Sequence, residues 1–241
     1  MPWSCSVCTF INGDAAKRCD MCGGGGGGEG GGGVGVGVGG RVLRSSLSQY
    51  DGALGAAGSS ACTAIAVHAA ATLLPILDGG AAPSVGDLDA AVRAGAATAA
   101  QSPGAHLDYA TAWALSGLGS KLQPLNLGAE SQGLLTTPGS LEDLCAEARA
   151  RTPSPSFVAV VFTKPPETVC FFLPPPDGSS FFLFDSHPRP GVPVAHLARY
   201  ADLASLLGHV RELFPPLPDD GEGFAVMQYN MFEGSFLVAK K

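Results

Sequence analysis

Two Cys-x-x-Cys pairs, Cys5/Cys8 and Cys19/Cys22, open this sequence, and a run of almost pure glycine follows them. So short a segment has no other way to fold than around a metal. The C-x2-C-x10-C-x2-C spacing reads as four thiolates closing one tetrahedral Zn2+ site. The glycine run, broken by Glu29 and three valines, is a flexible linker with an r.m.s. span of roughly 20–25 Å on random-coil scaling. These features divide the chain into a zinc finger at 1–23, a linker at 24–40 and a domain at 41–241.

With Trp3 and Asn12, the finger's spacing resembles the NZF fingers of the Ran-binding-protein type. In the ubiquitin-binding members, Thr-Phe follows the second cysteine and an apolar residue precedes the fourth. Those positions hold Thr9, Phe10 and Met21 here. An aromatic ring and a flexible thioether can cover a small apolar patch, with Thr9 hydrogen-bonding beside it. The resemblance implies ubiquitin or polyubiquitin as partner. RNA-binding relatives use arginines and stacked aromatics, whereas Lys17 and Arg18 are the only basic residues of this finger.

The net charge of −7 argues against nucleic acid held on a broad basic surface. No apolar run reaches the length of a membrane span, and the N-terminus lacks the apolar stretch of a signal peptide. The three cysteines beyond the finger, Cys62, Cys145 and Cys170, are scattered. Zinc plus free thiols suits a reducing compartment, so the protein is expected inside the cell, in cytoplasm or nucleus.

Within the domain, small residues lead into Cys62 and an Ala-rich helix runs on to about Pro75. Ser59 or Ser60 is the expected N-cap. Cys62 then falls in the first helical turn, where the dipole and free amides favour a thiolate. A small buried cysteine in an apolar helix fits that stretch equally well. Further helices are expected over 85–101, 107–118 and 197–213. Another starts at a capping-box-like Ser140-Leu141-Glu142-Asp143. Strands are expected over 157–163, 169–173 and 180–186, with a terminal hairpin formed by 224–232 and 235–239. Helices first and antiparallel strands second make an α+β domain.

Asp185-Ser186-His187 closes the third of those strands. Residues i and i+2 share a strand face, so the carboxylate can fix the imidazole tautomer and stabilise its cation. Pro188 and Pro190 stop the strand and leave His187 at a rim. A strand-end hydrogen bond explains Asp-x-His as readily when it stands alone. If Cys62 faces it, a Cys–His–Asp constellation results. His68 reads as structural, and His106, His196 and His209 as surface or packing residues. Cys145 and Cys170 read as core.

Gln49 before the helix-start cysteine, and a late strand ending in Asp-x-His, are together similar to the herpesvirus tegument deubiquitinases and their cellular relatives. The resemblance implies a papain-like cysteine protease fold. It also implies catalytic roles for Cys62, His187 and Asp185, with Gln49 donating to the oxyanion. Residues 79–139 match nothing in that pattern. Finger and domain then meet on one function, thiol-dependent hydrolysis after the C-terminal glycine of ubiquitin. A non-catalytic ubiquitin-binding adaptor and a papain-like peptidase or amidase of other specificity remain the alternatives.

Overall fold

The computed structural model describes residues 3–4, 11–12, 42–102, 106–128, 130–217 and 224–240. Near the N-terminus, β1 (Trp3–Ser4) pairs antiparallel with β2 (Ile11–Asn12). Cys5, Cys8, Thr9, Phe10, Cys19, Met21 and Cys22, expected to form a zinc finger, and residues 24–40, expected to be a linker, lie outside the described residues, as does Arg41.

The continuous apolar runs of the domain become strands covered on both faces. These are β6 (Val158–Lys164), β7 (Glu167–Leu173) and β8 (Phe181–Asp185). Alternate side chains go to opposite sides. Ala159, Val161, Cys170, Phe172 and Phe184 face one core, whereas Val160, Phe162, Phe171, Leu173 and Leu183 face the other. With neither face solvated, strict apolar–polar alternation is absent from the sequence.

The sheet continues to β9 (His196–Tyr200) and β3 (Val42–Arg44) beyond β8, and to β10 (Met231–Ala239) beyond β6. The long β10 carries two short strands on its other edge, β4 (Leu122–Pro124) and β5 (Ser131–Leu134). Every pairing is antiparallel.

The first core is closed by α1 (Cys62–Asp78), α2 (Val85–Ala99) and α3 (Tyr109–Ser116), and the second by α4 (Ser140–Arg151) and α5 (Leu203–Leu213). Alanines in α1 and α2 allow close helix packing, closest at Gly95, where a Cβ would lie 2.3 Å from the Ile65 Cα. The expected order of helices followed by antiparallel sheet therefore holds, with β3, β4 and β5 as additions from the first half. Among the described residues no helix is long and apolar enough to cross a membrane.

Several local expectations need correction. Neither Ser59 nor Ser60 caps α1. Both lie in a 3-10 turn, Ala56–Ser60, and the cap position is Ala61, without a side-chain bond. The helix also passes through Pro75 to Asp78. Proline forfeits one amide bond there, and the buried Leu73, Leu74 and Leu77 hold the last turns in place. Ser140 is not a cap either: Gly139 takes that position at φ 82°, and the Ser140 hydroxyl donates to the Leu134 carbonyl at 2.7 Å.

The helix expected over 197–213 divides into β9 and α5. Ladder pairing of β9 with β3 and β8 overrides helix propensity, and Asp202 starts α5 by accepting from the Ser205 amide at 2.7 Å. The expected terminal hairpin is instead α6 (Phe224–Asn230) followed by one continuous strand, β10. Gly234, which invites a turn reading, sits in mid-strand because a Cβ there would lie 2.5 Å from Leu144 Cδ1 of α4.

Candidate active site

Cys62 is the first residue of α1, so the free amides of the helix start surround it. A hydroxyl pair, Thr63 Oγ1 and Thr168 Oγ1 at 2.9 Å, ties this turn to β7. On the other side the 3-10 turn leading into the helix rests on Gln49. A Cβ at Gly58 would lie 2.2 Å from the Gln49 carbonyl oxygen, so only glycine permits this approach. Thr63 and Gly58 thus fix where the thiol stands.

The β8 strand ends at Asp185, and His187 follows it over the helix start. The His187 backbone amide donates to Asp185 Oδ1 at 2.8 Å, and Nδ1 donates to the same oxygen at 2.6 Å. This double contact fixes the tautomer and leaves Nε2 for the Cys62 thiol, whose interaction with the imidazole raises the His187 pKa. Tyr50 stands edge-on to the ring, with centroids 6.3 Å apart. Asp185 is fully buried, and Cys62 and His187 are each 3 % exposed.

The second carboxylate oxygen of Asp185 accepts from Arg189 Nε at 2.6 Å, and Arg189 Nη2 donates to Glu167 Oε2 at 2.6 Å. Arg189 therefore joins the end of β8 to the start of β7. The Pro165-Pro166 turn preceding Glu167 brings the Pro166 carbonyl to 3.9 Å from the Cys62 sulfur.

This arrangement shifts the protonation of its members. Burial alone pushes the Cys62 thiol up. Hydrogen bonds from His106 and His187, the His187 charge and the Thr168 backbone outweigh burial and bring the thiol down from 9.0 to about 6. Burial pulls the His187 imidazole down, but the Glu167 and Asp185 charges and the bonds to Asp185 and Cys62 raise it from 6.5 to about 10. For Asp185, burial pushes the carboxyl up, and the Arg189 and His187 charges override it, holding the group well below the usual carboxylate range. The lowered thiol and the raised imidazole both favour a thiolate–imidazolium pair. By contrast, burial pushes Cys145 up to about 12 and Cys170 higher still, as suits core thiols.

Gln49 is 1 % exposed and pairs with the centre of the Asp-Ser-His run. Its backbone amide donates to the Ser186 carbonyl at 3.0 Å, and its Oε1 accepts from Ser186 Oγ at 2.7 Å.

The structure thus brings Cys62, His187, Asp185 and Gln49 together from three separate stretches of the chain. His68 is structural, bonded through Nε2 to Thr98 Oγ1 at 2.8 Å between α1 and α2. His196 is buried in β9, and His209 packs beside Tyr200.

Sequence reasoning missed His106. Read as a surface or packing residue, it interacts with the Cys62 thiol, and that interaction raises the His106 pKa against the opposing effect of burial. Nothing in its local sequence signals this, because the contact spans α2. Arg189 and Glu167 were also missed. Arg189 stands in the run Asp-Ser-His-Pro-Arg, so a basic residue close to a buried carboxylate was a readable cue. Glu167, beside two prolines in a turn, offers none. Among the described residues no cluster of His, Cys, Asp and Glu is suited to hold a metal.

Fold and site define a domain of helices on an antiparallel sheet, with a Cys–His–Asp constellation where helix start and strand end meet. Among solved structures, one sharing this fold is the ubiquitin-specific protease encoded by the murine cytomegalovirus tegument protein M48, in complex with a ubiquitin-based suicide substrate. The TM-score is 0.52 at 15% sequence identity, covering 83% of this chain and 87% of that one. Neither a protein-family model nor a curated protein sequence matches the chain.

Proposed function

We propose that this protein is a ubiquitin-directed cysteine hydrolase that cleaves the peptide or isopeptide bond after the C-terminal glycine of ubiquitin. The carrying observation is the Cys62 thiol at a helix start, held down in pKa by an imidazole whose Nδ1 Asp185 holds at 2.6 Å. The likeness in fold to a viral ubiquitin-specific protease supports the substrate class.

The Cys62 thiolate attacks the glycine carbonyl carbon, and the carbonyl electrons move onto oxygen. The Gln49 side-chain amide and the backbone amide at the start of α1 donate to that oxyanion. As the C–N bond breaks, His187 passes its Nε2 proton to the leaving lysine amine, and a thioester remains. Water then attacks the thioester while His187 takes up a proton. The carboxylate departs and the thiolate–imidazolium pair is restored. Asp185 stays ionised throughout and supports the cation. With the thiol this enclosed, a substrate ending in a narrow, extended tail suits the site.

In this reading Cys5, Cys8, Cys19 and Cys22 hold a structural Zn2+, for which four thiolates are a suitable donor set. Thr9, Phe10 and Met21 bind ubiquitin, and the linker raises the local substrate concentration at the domain. A cytoplasmic or nuclear setting keeps the thiols reduced.

The test is hydrolysis of a ubiquitin C-terminal fluorogenic amide by the full chain. Cys62→Ala should abolish it, while Cys145→Ala and Cys170→Ala retain it. Inactivity of the wild type, with ubiquitin still bound, would favour the adaptor reading. Cleavage of other peptides but not of ubiquitin would favour a different peptidase.

A further inference from the structure

Ser186 sits between Asp185 and His187, and its side chain turns away from both. The hydroxyl donates to Gln49 Oε1 at 2.7 Å, in a buried setting, from a residue 137 positions away. The backbones of the same two residues are bonded independently, Gln49 N to Ser186 O at 3.0 Å. The backbone bond fixes where Gln49 stands, and the hydroxyl bond fixes how its amide is turned.

A primary amide has one accepting and one donating end, and the two differ little in shape. An oxyanion donor is useful only if the NH2 end faces the reacting carbonyl. With the oxygen end presented, the same side chain repels the developing charge. We propose that Ser186 is a positioning residue: by occupying Gln49 Oε1 it commits Nε2 to the oxyanion. This inference rests on the hydrolase reading above. The Asp-Ser-His tripeptide then serves both halves of the chemistry, with Asp185 and His187 acting on the thiol and Ser186 orienting the donor. The hydroxyl is suited to this task because, donating to the carboxamide oxygen, it anchors the side chain in the orientation that leaves Nε2 for the oxyanion.

A double-mutant cycle tests the assignment. Ser186→Ala keeps the backbone bond and removes the hydroxyl. It should lower kcat on the fluorogenic ubiquitin amide by roughly 10- to 100-fold, with KM little changed. Gln49→Ala should lose about 10²–10³-fold. In the double variant the Ser186 change should cost less than about twofold more, since the residue it acts through is already gone. Alkylation of Cys62 by iodoacetamide should proceed at the wild-type rate in both single variants, because the His187 and Asp185 contacts remain.

Ser186→Thr retains a hydroxyl and should restore most of kcat. Gln49→Glu keeps the acceptor for Ser186 but has no donor, so it should lose kcat while remaining folded by circular dichroism. Independent, multiplying losses in the double variant would overturn the inference, as would wild-type kcat in Ser186→Ala or Gln49→Glu. Either result leaves the hydrolase reading standing. Absence of hydrolysis by the wild type overturns that reading itself.

Discussion

Arg189 Nε donates to Asp185 Oδ2 across 2.6 Å, on the carboxylate oxygen that His187 does not use. The carboxylate is fully buried, so each of its two oxygens needs a partner. Arg189→Ala should leave one oxygen without its charged partner and cost about 3–5 kcal/mol of stability, the usual penalty for breaking a buried pair. Arg189→Lys keeps the charge but cannot span Asp185 and Glu167 with a planar fork, so it should fall between. Urea unfolding of the three proteins gives the order. Equal midpoints for wild type and Arg189→Ala would mean the pair contributes nothing.

The same pair sets a pH dependence. The Asp185 carboxyl lies below its unfolded value of about 3.9, so its contribution is present above that pH and is lost as pH falls through the lower folded value. Wild-type stability should therefore decline in acid below the ordinary carboxylate range. In Arg189→Ala the carboxyl rises toward its unfolded value, so the acid decline should be smaller and should level off at higher pH. Urea midpoints measured from pH 5 to pH 2 check this.

Cys62 alkylation should follow a titration near pH 6, not the 8.5 of an ordinary thiol. Hydrolysis should show a bell with limbs near pH 6 and pH 10, where thiolate and imidazolium coexist. In His187→Ala the alkylation midpoint should move up toward 8.5 or beyond. Mass spectrometry of labelled peptides against pH separates Cys62 from the unreactive Cys145 and Cys170.

Among the described residues, His106 acts on the thiol without a carboxylate partner comparable to Asp185. Its expected role is to stabilise the thiolate, with the base function left to His187. His106→Ala should slow alkylation by roughly 3- to 10-fold at pH 6, where thiolate fraction follows pKa, and by little at pH 9. A loss as large at pH 9 as at pH 6 would point to a structural role instead.

Gly95 underlies the site at one remove. Gly95→Ala places a Cβ 2.3 Å from the Ile65 Cα and 2.6 Å from its Cγ1, forcing α1 away from α2. The overpacking should cost about 1–3 kcal/mol and also lower kcat, since α1 carries Cys62. Gly119→Ala, with nothing within 4 Å of the added carbon, is the matching control and should be close to neutral.

These residues show which features the sequence could reveal. Cys62, Asp185 and His187 could be singled out because they carry local signals: small residues before a cysteine at a helix start, and an acid and a base two apart at a strand end; Gln49 carries none and was singled out only through the family resemblance. The β6 and β8 strands were legible from length and β-branched or aromatic content. The break between β9 and α5 was not. Leu197–Tyr200 has no strand signature of its own and becomes a strand by pairing on both sides. Gly234 misled for the opposite reason: it looks like a turn, but its small size serves Leu144 across the sheet. His106, Glu167 and the Ser186–Gln49 bond depend on contacts between distant stretches, which propensity and spacing do not encode.

The central claim is that Cys62 is a nucleophile directed at the ubiquitin C-terminus. Incubating the full chain with ubiquitin bearing a C-terminal electrophile, then mapping the adduct by mass spectrometry, tests it most directly. The account predicts a covalent ubiquitin adduct on Cys62, absent in Cys62→Ala and slowed in His187→Ala. It would be contradicted by a wild-type protein that iodoacetamide labels at Cys62 and the ubiquitin electrophile leaves untouched.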